Sequence, residues 1–344
     1  MRCFAFLLAL MTAPALVLAD TGYTTIPAHD EVGTITLFYP SSSPARQMRR
    51  GEFVMQLAEQ GRPERGNGRL VIISHGSGGS PWVHTDLARA LVAAGFVVAM
   101  PAHRGDNYRD DAHPGPDSWT LRPAEVSTAI DEVGRDPRFA PLLDLSKVGM
   151  YGMSAGGHTA LSMAGGRWSP ARFKQHCEAH LEEDFQSCVG LATRLTGGML
   201  DGLKKWLALI IIRHRFSDER DREHHDRRIA AVVAAVPAAA DFDMDSLKTP
   251  PMPLALITAG QDRWLLPRFH SERVLAACPS CIRLAGLPTA GHGAMLSPLP
   301  PGLTGLVGDM LNDPPGFDRS RLAVIDQAIA AFFTRHLETG SDSR

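Results

Sequence analysis

Residues 148–161 read VGMYGMSAGGHTAL, and this segment is the most informative part of the sequence about the fold. An apolar segment typical of a buried β-strand leads directly into GMSAG (152–156), which fits the pattern G-x-S-x-G, and a helix is predicted to follow. Because the backbone at such a strand-to-helix turn takes strained dihedral angles, the serine needs small neighbours. Ser154 is therefore a candidate nucleophile. The alternative is a glycine-rich turn whose serine only caps the helix.

Apolar segments alternate with amphipathic ones on both sides of this turn. Strands are predicted at residues 70–74, 96–100, 147–151, 230–236, 253–258 and 282–284, and helices at residues 85–94, 122–133, 154–164, 268–277 and 319–336. Continuous apolar strands that alternate with helices indicate an α/β fold with a mostly parallel sheet covered on both faces. Residues 23–27 and 33–39 alternate more in polarity, which favours antiparallel edge strands.

Two stretches interrupt the alternation. Residues 40–68 are polar and rich in glycine, proline and arginine, which predicts a surface excursion. Residues 166–228 lack strand signals and are predicted to form a helical cap inserted into a single domain that spans residues 20–344. Within the cap, WLALIII (206–212) is too short to cross a membrane. We favour the buried face of a cap helix for this run, over a wall of a substrate pocket.

The first residues, MRCFAFLLALMTAPALVLAD (1–20), combine a basic start, an apolar run and small residues at its end. This pattern predicts a secretory signal over residues 1–19, cleaved near Ala19, and an exported, periplasmic or secreted protein. A membrane anchor is the alternative, but the run is short and Pro14 interrupts it. We therefore expect no stable membrane insertion.

The composition is that of a globular protein, with 344 residues, 44% hydrophobic residues and a formal net charge of -2. A nearly neutral chain argues against nucleic acid as a partner, because nucleic-acid binders normally carry a basic stripe. Four cysteines lie beyond the predicted signal. Proximity in the sequence favours pairs Cys177–Cys188 and Cys278–Cys281, with free thiols as the alternative for the second pair. Nothing in the sequence indicates the oligomeric state.

Three further segments complete a catalytic constellation. HGSGG (75–79) follows an apolar strand and is suited to aim a backbone N–H at an oxyanion, with the N–H groups of Ser77 and Ala155 as the expected donors. A phosphate cradle is disfavoured because neither G-x-G-x-x-G nor Gly-Lys-Ser/Thr is present. Asp262 follows a late strand, and His292 lies between glycines after the last strand. The order Ser154, Asp262, His292 is the order of an α/β-hydrolase triad.

This constellation predicts acyl transfer without a metal or organic cofactor. His292, oriented by Asp262, takes the proton of Ser154 while the hydroxyl attacks an acyl carbonyl. Histidines elsewhere are given lesser roles: His75 is expected to brace its loop and His158 to be structural. A metal site in the charged run that holds His214, His224, His225 and Asp226 is disfavoured against a solvated face.

At these residues the chain resembles the α/β-hydrolases, and most of all the dienelactone hydrolase-like proteins, a branch similar to the platelet-activating-factor acetylhydrolases. The matching segments are VIISHGSGGS (71–80), GFVVAMPAHRGDN (95–107), RPAEVSTAIDEV (122–133), VGMYGMSAGGHTAL (148–161), RIAAVVAAVPA (228–238), ITAGQD (257–262) and AGHGAML (290–296). The resemblance implies carboxylic ester hydrolysis, a serine triad and a helical cap. The family's elbow often carries histidine before the nucleophile, where this chain has Met153. True dienelactone hydrolases use cysteine where it has Ser154, so the family name does not carry over a dienelactone substrate.

The sequence therefore predicts an exported serine hydrolase that cleaves a small-molecule carboxylic ester, with a cap that limits the size of the acyl or alcohol group. A peptidase or amidase of the same fold is the alternative enzyme, because the same triad can protonate an amine leaving group. A catalytically silent binding protein that keeps the fold is the alternative from another class.

Overall fold

The computed structural model of the chain describes residues 19–29 and 32–338. Residues 1–18 of the predicted signal lie outside this range. The strands are β1 (Asp20–Ile26), β2 (Ile35–Ser41), β3 (Arg46–Arg50), β4 (Phe53–Glu59), β5 (Leu70–Ser74), β6 (Val97–Pro101), β7 (Val148–Met153), β8 (Arg167–Trp168), β9 (Ile229–Ala235), β10 (Phe242–Asp243), β11 (Leu254–Ala259) and β12 (Ile282–Leu287). The helices are α1 (Thr85–Ala93), α2 (Pro116–Arg135), α3 (Ala155–Met163), α4 (Pro170–His180), α5 (Phe185–Val189), α6 (Asp201–Arg215), α7 (Ser271–Ala277), α8 (Gly305–Leu311) and α9 (Leu322–Leu337).

The main sheet has ten strands in the order β12-β11-β9-β7-β5-β6-β2-β1-β4-β3. Strands β6, β5, β7, β9, β11 and β12 run parallel to one another. The predicted mostly parallel sheet is confirmed. Strand β7 lies in the interior of the sheet. Ser154 follows its carboxyl end and therefore lies near the middle of the row formed by the carboxyl ends of the parallel strands. The carboxyl ends of β5, β9 and β11 meet there too, as parallel strands require.

The central strands are continuous apolar runs because both sheet faces are covered. Helices α1 and α9 pack on one face, where Leu91 and Phe333 are fully buried. Helices α2, α3 and α7 cover the other, where Ile130 and Val274 are fully buried. Burial on both faces removes the alternation of polar and apolar side chains that a half-exposed strand shows. This explains why runs such as LVIIS in β5 predict strands correctly.

The amino-terminal part of the sheet differs from the prediction. Residues 40–68 were expected to form a surface excursion, but they contain the antiparallel hairpin β3–β4, which extends the main sheet. Strand β4 pairs in parallel with β1, so β1 and β2 lie inside the sheet and not at its edge. The polar residues of 46–50 reflect an edge strand that is largely exposed, because an edge strand tolerates charged side chains that a central strand does not.

Residues 166–228 contain α4, α5 and α6, with a small apolar core of their own around Phe173, Phe185 and Ile212. The Cys177–Cys188 disulfide joins α4 to α5, and a second disulfide joins Cys278 to Cys281 after α7. Both favoured pairings are thus present in the structure. Two disulfides fit an oxidising environment. Over residues 19–29 and 32–338, no helix combines the length and the apolar character needed to cross a bilayer.

Helix α6 corrects the interpretation favoured for residues 206–212. Only Ala208 and Ile212 of that run are buried. The large side chains Trp206 (58%), Ile210 (45%) and Ile211 (59%) keep about half of their surface exposed. The run is therefore not simply the buried face of a cap helix. Its apolar character comes from both sides of α6.

Candidate active site

Ser154 stands at the turn between β7 and α3 with a backbone φ of 58°, a value that side chains other than glycine rarely adopt. The turn is possible because Gly152 and Gly156, two residues before and after Ser154, lack side chains. A Cβ at Gly156 would lie 1.9 Å from the carbonyl oxygen of Ser74, at the end of β5. Close backbone packing against the end of β5 thus explains why residue 156 is glycine. The serine N–H donates to the carbonyl of Ala235 at 3.1 Å, which ties the turn to β9.

The structure brings Ser154, Asp262 and His292 together, as the sequence predicts. The Oγ of Ser154 lies 2.9 Å from Nε2 of His292, and Nδ1 of His292 lies 2.8 Å from Oδ2 of Asp262. With the proton on Nδ1, His292 donates to the carboxylate and accepts from the serine hydroxyl. Asp262 and His292 are 2% and 4% exposed, so water barely competes for these hydrogen bonds. The arrangement meets the geometric test for a nucleophile, its base and the group that orients the base.

Asp262 is held in place by backbone donors. Its second oxygen, Oδ1, accepts the N–H groups of Trp264 at 2.8 Å and of Leu265 at 2.9 Å. These contacts leave Oδ2 for His292. The carboxylate therefore has a defined orientation, and so has the imidazole that donates to it.

The predicted oxyanion donors lie on either side of Ser154. Ala155 is the first residue of α3, where a helix N–H has no intrahelical acceptor and points towards the helix start. On the other side, the loop after β5 passes close to the serine, since a Cβ at Gly76 would lie 3.4 Å from the Ser154 Cβ and 3.8 Å from its Oγ. Ser77 follows immediately. The use of these N–H groups in a reaction stays a prediction.

A buried polar network lies beneath the 75–79 loop, and the sequence indicated a role there only for His75, whose ring bonds the Gly76 carbonyl oxygen and the His103 N–H. The network comprises Ser74, His75, His103, Asp106, Ser118, Arg122 and Glu125. Part of its signal is in the sequence. Arg122 falls on the apolar face of α2, four residues before the buried Val126, and Asp106 lies in a polar cluster directly after β6. A charged residue on the buried face of an amphipathic helix indicates a buried partner.

The charges of this network follow from burial and pairing. Burial alone would raise the pKa of Asp106, but Arg122, two hydroxyl donors and the Gly78 N–H outweigh it and hold that pKa below its ordinary value. Burial, followed by the neighbouring His103 and Arg122, keeps the pKa of His75 well below the usual range. Burial also raises the pKa of Glu125, whose Oε2 lies 2.6 Å from Nδ1 of His103.

His158, expected to be structural, is fully buried one turn into α3. Its Nε2 lies 2.9 Å from Oδ2 of Asp241, and its ring stacks on Trp119 with centroids 5.0 Å apart. Its contacts therefore tie α3 to residues after β9 and to α2. The N–H of Ala238, in the same connection after β9, donates to the Ser154 carbonyl at 3.2 Å. These contacts fix the turn between β7 and α3, which carries Ser154, against α2 and the connection after β9.

In the described part of the chain, one group of side chains has the spacing of a metal site. Nε2 of His176, a carboxylate oxygen of Asp184 and Nε2 of His270 lie within 4.8 Å of one another, and all three residues are buried. The hydrogen bonds favour a cluster without metal, in which Nε2 of His176 and Nε2 of His270 both lie within hydrogen-bond distance of Oδ2 of Asp184. We call this cluster the Asp184 clamp. The N–H of Ala239 donates to Nδ1 of His270 at 2.9 Å, so a neutral His270 carries its proton on Nε2. That proton faces Asp184 at 3.2 Å, and a protonated nitrogen does not bind a metal.

This clamp joins the cap to the sheet domain. Burial alone would raise the pKa of Asp184, but its hydrogen bonds with His176 and His270 outweigh burial and lower it to about 2. His224, in the charged run, is half-buried, and its Nε2 lies 2.9 Å from the Ser127 hydroxyl. Asp226 pairs with Arg228 at 2.7 Å. The disfavoured metal interpretation of that run gains no support from these contacts.

Comparison with known proteins identifies the fold. No protein-family model matches the chain, and no curated protein matches it. Among solved structures it is similar to a ferulic acid esterase from Streptomyces cinnamoneus, with 17% sequence identity, a TM-score of 0.56 and coverage of 96% of each chain. The match spans nearly the whole of both proteins. Together with the sheet order and the elbow, it shows that the chain has the α/β-hydrolase fold.

Proposed function

We propose that the protein is a serine hydrolase that cleaves carboxylic esters through Ser154, His292 and Asp262. The proposal rests on one observation above all, the continuous series of hydrogen bonds from the strained Ser154 through His292 to the buried Asp262. The fold shared with an esterase adds to it. We also propose that the chain belongs to the dienelactone hydrolase-like branch of the α/β-hydrolases.

The geometry supports the following reaction. His292 Nε2 takes the proton of Ser154 Oγ as the oxygen attacks the acyl carbonyl, and the oxyanion accepts the N–H groups of Ser77 and Ala155. His292 then donates its proton to the leaving alkoxide, which leaves an acyl group on Ser154. A water molecule, deprotonated by His292, then attacks the acyl carbon. The bond between the acyl carbon and Ser154 Oγ breaks, His292 returns the proton to Oγ, and the acid is released. Asp262 stabilises the imidazolium in both halves of the cycle.

Labelling by a fluorophosphonate probe tests the assignment, because the probe reacts only with an activated serine. The wild-type protein should be labelled and should hydrolyse p-nitrophenyl esters. Ser154→Ala should lose both properties. Ser162→Ala is a matched control, since this buried serine lies on α3, the helix that Ser154 precedes, and its hydroxyl donates to the His158 carbonyl at 3.1 Å. Equal labelling of Ser154→Ala and wild type would overturn the assignment, and an unlabelled wild type would favour the catalytically silent binding protein.

The choice between ester and amide follows from the leaving group. Esters and anilides of the same acyl chain, assayed side by side, would separate an esterase from a peptidase or amidase. We expect esters to be hydrolysed and anilides to be poor substrates. A clear preference for the anilide would favour the amidase.

The cap is proposed to limit the size of the substrate. Arg194, in the segment before α6, forms an ion pair with Asp309 of α8. Helix α8 packs beside the His292 turn, since a Cβ at Gly293 would lie 2.1 Å from the Leu311 carbonyl oxygen. The cap thus reaches the side of the site that holds the base. Esters of graded chain length should show a cut-off that shifts in Arg194→Ala, and a profile unchanged by this variant would contradict a role for this contact.

Export is proposed from the residue pattern of 1–19, and the two disulfides fit it. Amino-terminal sequencing of the protein recovered from the periplasm or medium of its host should begin at Asp20. Protein that keeps residues 1–19 and stays with the membrane fraction would favour the anchor.

A further inference from the structure

Arg122 is fully buried beneath the loop that contains Ser77. Its guanidinium donates to the Ser118 hydroxyl at 2.8 Å, to the His75 carbonyl at 2.6 Å and to Oδ2 of Asp106 at 2.8 Å. Removing a guanidinium from water is costly unless it is paired and its N–H groups find acceptors. The Arg122–Asp106 ion pair, which lies between α2 and the loop, therefore has a fixed geometry.

Asp106 carries that geometry into the loop itself. It is fully buried, and its Oδ1 accepts the Ser77 hydroxyl at 2.5 Å and the Gly78 N–H at 2.9 Å. Both contacts are charge-assisted, which makes them stronger than neutral hydrogen bonds. Ser77 and Gly78 are therefore fastened to Arg122 through a single carboxylate.

His75 holds the peptide on the other side of Ser77. Its Nε2 accepts the N–H of His103 at 3.3 Å, so the proton of the neutral ring is on Nδ1, which donates to the Gly76 carbonyl at 2.7 Å. The N–H of Gly79 donates to the same carbonyl at 3.0 Å. In a planar trans peptide the C=O and the N–H point in opposite directions. Holding the Gly76 carbonyl therefore sets the direction of the Ser77 N–H.

We propose that Asp106, Arg122 and His75 are positioning residues that hold the Ser77 N–H ready for the oxyanion formed at Ser154. The inference rests on the proposed function and assigns a task to a network outside the triad. Gly76 lies against Ser154, so the peptide that carries this N–H is next to the nucleophile. A donor held in place before the reaction lowers the barrier because nothing has to reorganise when charge develops.

Steady-state kinetics and a tetrahedral-adduct inhibitor test this inference. Ser77→Ala removes the hydroxyl contact with Asp106 but keeps the backbone N–H. Asp106→Asn weakens all the contacts of the carboxylate, with Ser77, Gly78 and Arg122. Complete loss of an oxyanion donor lowers kcat by about 10²–10³. We expect kcat to fall about tenfold in Ser77→Ala and about 100-fold in Asp106→Asn, with KM nearly unchanged. The inhibition constant of an alkyl boronic acid, whose adduct places an oxygen in the same position, should rise in parallel.

A matched control is Asp326→Asn, which changes another buried aspartate, on α9 at the opposite face of the sheet. It should keep kcat and boronate affinity. If Asp106→Asn does not fold, as judged by thermal unfolding, Ser77→Ala alone decides. If wild type is labelled at Ser154 and hydrolyses esters while folded Ser77→Ala and Asp106→Asn keep kcat and boronate affinity, the positioning role is wrong and the esterase stands. If wild type neither hydrolyses nor is labelled, both proposals fail.

Discussion

Gly152 packs against Gly156 so closely that a Cβ at Gly152 would lie 1.9 Å from the Gly156 carbonyl oxygen. The atoms in the way belong to the backbone of α3, not to a flexible side chain. Strand β7 and helix α3 are both buried and cannot separate without disturbing the sheet. The approach of strand and helix that exposes Ser154 therefore depends on the absence of one methyl group.

Gly152→Ala should destabilise the protein by about 3 kcal/mol or more, at or beyond the upper end for overpacked cores, and should abolish ester hydrolysis. Urea unfolding at neutral pH measures the free energy of unfolding. Gly202→Ala is the control, because nothing lies within 4 Å of a Cβ at that position on α6, where alanine favours the helix. Near-wild-type stability and activity of Gly152→Ala would show that the elbow relaxes more easily than the packing indicates.

Asp262→Asn should fold normally and lose about 10⁴ in kcat, as expected when an amide leaves the histidine in the wrong tautomer. The asparagine carbonyl can still accept the N–H groups of Trp264 and Leu265, so stability should change little. The amide nitrogen that then faces His292 Nδ1 is a donor and, unlike Oδ2 of the carboxylate, cannot accept the hydrogen bond from Nδ1. The measurement is kcat with a p-nitrophenyl ester, alongside thermal unfolding. A folded variant that keeps more than a tenth of wild-type kcat would remove Asp262 from the triad.

The contribution of Asp326 to the stability of the protein should decrease as the pH rises. Burial and, to a lesser degree, the nearby Asp86 raise the pKa of Asp326 to about 7. The folded state therefore binds the proton more tightly than the unfolded state, and stability present below about pH 4 is lost as the pH rises towards 7. The free energy of unfolding of Asp326→Asn, relative to that of wild type, should increase over this interval by about 4 kcal/mol at most. The increase should level off above pH 7.

Urea unfolding of wild type and Asp326→Asn at pH 4, 6 and 8 measures this difference. Asp111→Asn, at an exposed position, is the control and should follow wild type at every pH. A constant difference between Asp326→Asn and wild type from pH 4 to 8 would contradict the raised pKa.

The two disulfides should differ in their contribution to stability. Cys177 and Cys188 are 11 residues apart in sequence, whereas Cys278 and Cys281 are only 3 apart. Because a bridge that closes a longer loop removes more entropy from the unfolded chain, replacing Cys177 and Cys188 by serine should cost about 3 kcal/mol, and replacing the other pair about 2. Thermal unfolding under non-reducing conditions compares the two double variants. A thiol count on denatured, unreduced protein should find neither pair free, and four free thiols would contradict both bridges.

Much of the site could be predicted from residue order because its parts stand at strand ends. Each of Ser154, Asp262 and His292 follows an apolar run, and parallel strands bring their carboxyl ends to one edge of the sheet. The spacing of the glycines predicts the strand-to-helix turn at Ser154, because the close backbone contacts of Gly152 and Gly156 admit no other residue. Local pattern is sufficient for such features because they depend on neighbours in the chain.

Other features arise only when distant segments meet. The hairpin β3–β4 looks polar in sequence because it lies at the sheet edge, and its pairing with β1 depends on a register that no local pattern encodes. The exposed apolar side of α6 depends on what the rest of the fold leaves uncovered. The Asp184 clamp joins residues of the cap to His270, and its chemistry depends on a hydrogen bond from Ala239.

The residue pattern alone specifies the α/β alternation, the order of the triad candidates and the glycines at the elbow, because strand runs and steric limits are local properties. The way in which the loop that carries Ser77 is held depends instead on segments that meet only in the folded protein. Arg122 lies 16 residues from Asp106 and 47 residues from His75 along the chain. Their mutual burial, which makes these hydrogen bonds strong and their charges interdependent, exists only after α2 has packed beneath the loop.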